Sequence, residues 1–263
     1  MNTCRRIQSA KELDPRSKRT AAALARMFEY EFDAIDQHRT FVYSAIQGSM
    51  ERLNKRLAAR LAKLGDEARA LLDDENYDEI HQLSLVFPRL QAHAQFLVAF
   101  ATFEDALNRL CQFAQSRYNL RLSCRDLGDQ GVRRAANYFR KVVGYAAPFS
   151  TADWNRVLLL GDLRNTLAHA GGRLPDEPRN KNALPQRLSG VPGLTFVRPH
   201  AQQAELDVVL TEEFLSDAVS CFKRVLMEVA HFPERCDETR GSTGRATVGL
   251  ASIRAPVSRN VNA

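Results

Sequence analysis

Apolar and polar positions alternate with a helical period over most of this chain. From Ser17 to about Leu64, Ile46, Met50, Leu53, Leu57, Leu61 and Leu64 recur at steps of three and four, which places them on one stripe of an α-helix. Gly65 and Asp66 interrupt the pattern, and "DEARALLDDENYDEIHQLS" continues as a shorter amphipathic piece. Pro88 marks a fresh start, because a proline supplies no backbone donor and is best placed in a first turn. From there a strong helix is predicted, with Phe96, Phe100, Phe103, Leu107, Leu110 and Ala114 on one face.

The polar stretch "NLRLSCRDLGDQ" reads as a loop, and "GVRRAANYFRKVV" as a short helix with Val132, Ala136, Phe139 and Val143 on its apolar edge. In "YAAPFSTAD", Ser150 or Thr151 can cap the helix that follows from Ala152 to about Ala170, and Gly171 suits its left-handed terminator. "GGRLPDEPRNKNALPQRLSGVPG" is punctuated as a loop. "LTFV" and "AELDVVL" read as two short strands forming a hairpin, and Thr211 caps a last helix whose Glu212 and Glu213 suit its positive end. Beyond Pro233 the chain is polar and rich in small residues, with no element predicted. The expected fold is mainly α: a bundle of about four helices with one short β-hairpin over residues 85–232, a helical extension over 1–84 and a basic tail over 233–263.

Composition narrows the function classes. A hydrophobic content of 44% and a charged content of 26% are those of an ordinary globular chain. The net charge of +6 resides in the ends, since residues 1–20 carry +4 and residues 235–263 carry +3, leaving −1 for residues 21–234. Bulk charge is therefore weak evidence for a nucleic-acid partner. Cys4, Cys111, Cys124, Cys221 and Cys236 are odd in number and form no CxxC pair, which argues against a disulfide framework and a thiolate zinc site and leaves small buried hydrophobes as the simplest reading. No run of 18 apolar residues predicts a membrane span, and the first residues lack the apolar stretch of a secretory signal, so a cytoplasmic location is expected. His81 and His93 are twelve apart, with no metal-ligand spacing around them, and neither GxxxxGK[ST] nor GxGxxG occurs; no metal and no cofactor are expected.

One short stretch does not read as scaffolding. "LRNTLAHAGG" ends its predicted helix with an arginine, an asparagine, a histidine and two glycines. Arg164 and His169 are five positions apart, about 7.5 Å of rise and about 140° of rotation along a helix. They do not share a stripe, yet arginine has the reach to bring both tips to one cleft at the helix end. The negative end of the helix dipole favours a cation in that last turn. Thr166, Leu167 and Ala168 leave little bulk between them, a plausible place to receive a phosphate.

"RNTLAH" matches the R-N-x-x-x-H form of the motif that marks the HEPN superfamily of helical ribonucleases and their non-catalytic relatives. In order, "FLVAFATFEDALNRLC", "GVRRAANYF", Trp154, "LRNTLAHAGGRL" and "LDVVLTEEFLSDAV" resemble bacterial HEPN-like proteins over about residues 90–232. The resemblance implies metal-independent RNA cleavage, in which His169 moves a proton at the ribose 2′-OH or the leaving oxygen and Arg164 steadies the charge on the phosphate. Products would carry 2′,3′-cyclic phosphate and 5′-OH ends. It also implies a two-fold dimer bringing two motifs face to face, an acidic residue at Glu104, and a setting in phage defence or as a toxin, with any neutralising protein partner unidentified. The residue chemistry agrees independently, since imidazole titrates near neutrality and guanidinium binds phosphate oxygens in a fork.

Around the pair, Asn165 can hydrogen-bond substrate or lock the arginine rotamer, and Glu104 can orient Arg164 or Asn165 or stand as a solvated helix-edge charge. Arg133, Arg134, Arg140 and Lys141, with Tyr138 nearby, can follow an RNA backbone or form an ordinary solvated face. Two function classes stay open at this level: a ribonuclease, and a non-catalytic helical module that binds RNA or a protein. A buried arginine paired to a carboxylate and a helix-ending histidine bonded to a carbonyl would leave the same sequence signature.

Overall fold

The computed structural model describes residues 15–64, 72, 74–177, 179–199 and 204–232, with side chains of the first helix from residue 23 to residue 63. The expected tail over 233–263, the basic stretch before Pro15 and most of "DEARALL" lie outside the described residues. The described chain is mainly helical with one small antiparallel sheet. Helices α1 (Pro15–Leu64), α2 (Tyr77–His81), α3 (Phe87–Tyr118), α4 (Gly131–Tyr138), α5 (Ala152–Ala170), α6 (Leu184–Arg187) and α7 (Glu212–Ala230) are joined by strands β1 (Arg173–Pro175), β2 (Leu194–Val197) and β3 (Glu205–Leu210). No helix among the described residues is long and apolar enough to cross a membrane.

Helix α1 is 50 residues long, or about 75 Å. Its first half enters the core through Ala25, Phe28 and Phe32. Polar ties reinforce the dock: Gln95 Nε2 donates to the Ile35 carbonyl at 2.6 Å, Arg109 to Glu31 at 2.9 Å and Lys223 to Asp33 at 2.6 Å. The second half carries the stripe seen in the sequence, of which Ile46 and Leu53 are buried. It contacts the segment that returns toward α3, with Arg56 on Glu79 at 2.5 Å and Arg60 on Glu75 at 2.9 Å.

The fresh start expected at Pro88 is not a break. Residues from Tyr77 to Tyr118 form one helical rod, passing from α2 through a π-helical turn at Gln82–Val86 into α3. The Phe87 N–H reaches back to the Gln82 carbonyl, and Ser84 Oγ donates to the Ile80 carbonyl at 2.7 Å. The wide turn lets the chain continue past a residue with no N–H, where a tight helix would kink. The boundary expected between residues 84 and 85 falls within this rod.

All six residues expected on the inner face of α3 are buried, as are Val132, Ala136, Phe139 and Val143. The core is aromatic at its centre. Phe222 of α7 lies 4.7 Å from Phe103, 5.7 Å from Phe100 and 6.4 Å from Phe32, measured between ring centroids. A second group joins Phe139, Phe149, Phe232 and Trp154, whose ring meets Phe149 edge-on at 4.9 Å. The hairpin of β2 and β3 is present, but the sheet has a third strand: β1, within the expected loop, pairs antiparallel with β3, giving the order β1-β3-β2. Three residues are too few to show a period of two, so only pairing with β3 defines β1 as a strand.

Candidate functional site

Helix α5 is bounded as its ends dictate. Thr151 Oγ1 accepts the Trp154 N–H at 3.1 Å, and Gly171 closes the helix in the left-handed region at φ 60°. Its inner stripe, Trp154, Val157, Leu160, Leu163 and Leu167, is buried. The helix lies antiparallel to α3: Gly161 and Arg164 meet Phe100 and Glu104, whereas Gly172, beyond the helix end, meets His93. A Cβ at Gly161 would stand 3.3 Å from Phe100 Cζ, so a small residue there lets the two helices close.

The motif side chains are distributed around this contact. The Arg164 guanidinium sits 5.9 Å from the centre of the Phe100 ring, donates to Asn165 Oδ1 at 3.0 Å, and lies 4.0 Å from the nearer Glu104 oxygen. It is half-buried, and at that distance the carboxylate leaves most of the guanidinium donors uncommitted. Glu104 also faces the start of α4, where a Cβ at Gly131 would meet its Oε1 at 3.5 Å. One carboxylate thus borders both the motif arginine and the positive end of a neighbouring helix. Asn165 and His169 are exposed, and His169 makes no hydrogen bond or ion pair among the described residues. Arg164 therefore reaches both Asn165 and Glu104, with His169 free in the last turn of the same helix.

The expected basic face divides between α4 and the π-helical turn Phe139–Val143 that follows it. Arg133 and Lys141 are exposed. Arg140 donates to the Phe149 carbonyl and its guanidinium lies 5.7 Å from that ring. Arg134 is half-buried, with its Nε enclosed. Two of the four cations are thus drawn into the fold. Among the described residues no group of three or more His, Cys, Asp and Glu side chains could hold a metal ion.

His93, which the sequence gives no metal-ligand spacing and no other role, stands beside the motif at Gly172. Its Nε2 is 3.0 Å from the Val208 carbonyl, while the Val208 N–H donates to the Gly172 carbonyl at 2.9 Å. Burial holds the His93 pKa below the ordinary imidazole value. One turn earlier, Arg89 pairs with Asp207 of β3 at 3.0 Å. The second glycine of the motif is the available signal: at φ 83°, a Cβ on Gly172 would lie 2.8 Å from His93 Cε1. Gly172→Ala is accordingly expected to destabilise the fold by about 1–3 kcal/mol, through backbone strain and displacement of His93. A thermal melt unchanged from the parent would contradict this packing.

Comparison of the chain with protein-family models, with curated proteins and with solved structures finds no match.

Proposed function

We propose that the chain is a metal-independent endoribonuclease of the HEPN type, acting in the cytoplasm and leaving 2′,3′-cyclic phosphate and 5′-OH ends. The observation that carries this reading is a steadied but uncommitted guanidinium on the same helix as a free imidazole in its last turn. Arg164 is held in place by Phe100 and Asn165 without being neutralised at close range, so its fork can take a phosphate oxygen. His169 is exposed and can carry a proton to or from a ribose oxygen. The stated setting, phage defence or a toxin, and the role of RNA as partner rest on the motif resemblance. Incubating the purified full chain with end-labelled RNA in EDTA tests the activity: fragments with cyclic phosphate ends are expected, and uncut RNA would overturn the reading.

One guanidinium and one imidazole do not readily supply acid, base and charge clamp together, which is the case for a two-fold dimer. The outer face of α3 favours it. Leu90 and Val98 are 57% and 54% exposed on a helix whose adjoining side holds Phe100 and Glu104. Ala94 and Ala101 continue the same exposed stripe. Replacing Leu90 and Val98 together by glutamate is expected to convert a dimer to a monomer in light scattering at micromolar concentration, with cleavage lost in parallel. A parent chain that is monomeric while active would remove the dimer from the mechanism. The same apolar stripe favours a second reading, a non-catalytic module that binds a protein, for which RNA would remain uncut by parent and variant alike.

A further inference from the structure

The two glycines after the motif have different surroundings. Among the described residues nothing lies within 4 Å of a Cβ placed on Gly171, whereas one on Gly172 would stand 2.8 Å from His93 Cε1 and 3.5 Å from His93 Nδ1. Gly172 is at φ 83°, in the left-handed region, and the chain passes directly from it into β1 at Arg173. The segment that leaves the motif therefore lies against the edge of an imidazole carried by α3.

His93 is half-buried and bound through its other nitrogen, since Nε2 lies 3.0 Å from the Val208 carbonyl. A carbonyl only accepts, so Nε2 carries the hydrogen, and burial favours the neutral ring in which Nδ1 is bare. The Val208 N–H in turn donates to the Gly172 carbonyl at 2.9 Å. One residue of β3 thus accepts from His93 and donates to Gly172, joining α3, β3 and the end of α5. β1 extends the tie, because Arg173, Leu174 and Pro175 pair with Asp207, Leu206 and Glu205. Arg89 also reaches Asp207 from α3, but its side chain is 41% exposed, and such a pair contributes little. His93 is the enclosed member of this dock.

We infer that His93 is a positioning residue for His169, holding β3 and Gly172 so that the last turn of α5 presents its imidazole in one direction. His169 stands three residues before Gly172 and makes no hydrogen bond or ion pair of its own among the described residues. Its aim is therefore set by the backbone that carries it. Misplacing a reacting group by about 1 Å can cost on the order of a hundredfold in rate. The kinetic arm of the test rests on the ribonuclease reading; the spectroscopic arm does not.

The test compares His93→Leu, which fills the space without a donor, with His93→Gln, whose Nε2 can replace the imidazole donor to Val208. In RNA cleavage by the full chain, kcat of the leucine variant should fall about tenfold to a hundredfold, with KM changed less than about twofold. The glutamine variant should stay within about threefold of the parent, because the donor is restored. In parallel, NMR of the full chain follows the His169 Cε1–H resonance and the Gly171 and Gly172 amides. These should shift in His93→Leu and return toward the parent in His93→Gln. Gly172→Ala acts on the same contact from the other side, so it should shift His169 as well, and it carries the test if His93→Leu does not fold. A parent chain that leaves RNA uncut would remove the ribonuclease reading, and the resonances alone would then decide the role of His93. A folded His93→Leu chain with an unmoved His169 resonance would overturn the inference. A glutamine variant as inactive as the leucine variant, with parent-like resonances, would also overturn it, since His93 would then be moving a proton itself.

Discussion

Replacing His169 by alanine is expected to lower RNA cleavage by about two to four decades, the range for removing a general acid or base. Arg164→Ala should cost a comparable two to three decades, because it removes a donor that meets charge growing on the phosphate. The two variants should differ in stability. His169 is exposed and engages no described residue, so its alanine variant should melt with the parent. Arg164 covers the Phe100 ring and holds Asn165, so its loss should cost about 0.5–1 kcal/mol of packing. That is well below the roughly 3–5 kcal/mol that follows when one partner of a tight buried ion pair is removed. EDTA should leave the rate unchanged. If both variants melt early and the parent leaves RNA intact, the motif is scaffolding and the enzyme reading fails.

The largest stability effect is expected at Phe222. Its ring meets Phe32, Phe100 and Phe103, so it joins α1, α3 and α7 in one contact group. Phe222→Ala should cost about 3–5 kcal/mol, a large share of the roughly 5–15 kcal/mol that a domain has in total. Urea unfolding should show a lowered midpoint with an unchanged slope. Because Phe100 also lies under Arg164, the variant should weaken the site even where it remains folded. A loss below about 1 kcal/mol would mean that the helices dock through other contacts.

Much of this arrangement is legible in the sequence, for local reasons. Helix α5 declares both ends, because Thr151 and Gly171 act on backbone groups within about one turn, the Trp154 N–H and the Thr166 carbonyl. The inner face of α3 is a long, strongly periodic stripe, and Thr211 begins α7 in the same way as Thr151 begins α5. What escapes notice depends on contacts between distant segments. Arg134 appears solvated on a helical projection, yet it is half-buried with its Nε enclosed. Phe28 and Phe32 reach the core from the half of α1 that lies before the regular stripe beginning at Ile46. At the site, Arg164, Asn165 and His169 follow from one decapeptide, and Glu104 from the helix opposite. His93 becomes visible only when the second glycine is treated as an approach by another side chain.

The π-helical turn before Pro88 has a mechanical consequence. Because the hydrogen-bonded chain does not stop at the proline, Tyr77 to Tyr118 behaves as a lever about 60 Å long. One arm lies along the outer half of α1, and the other carries Phe100 and Glu104 under the motif arginine. A load applied at Tyr77 or Glu79 would be delivered to Arg164 as a tilt of its platform, with compliance concentrated at the wide turn where the ladder is most open.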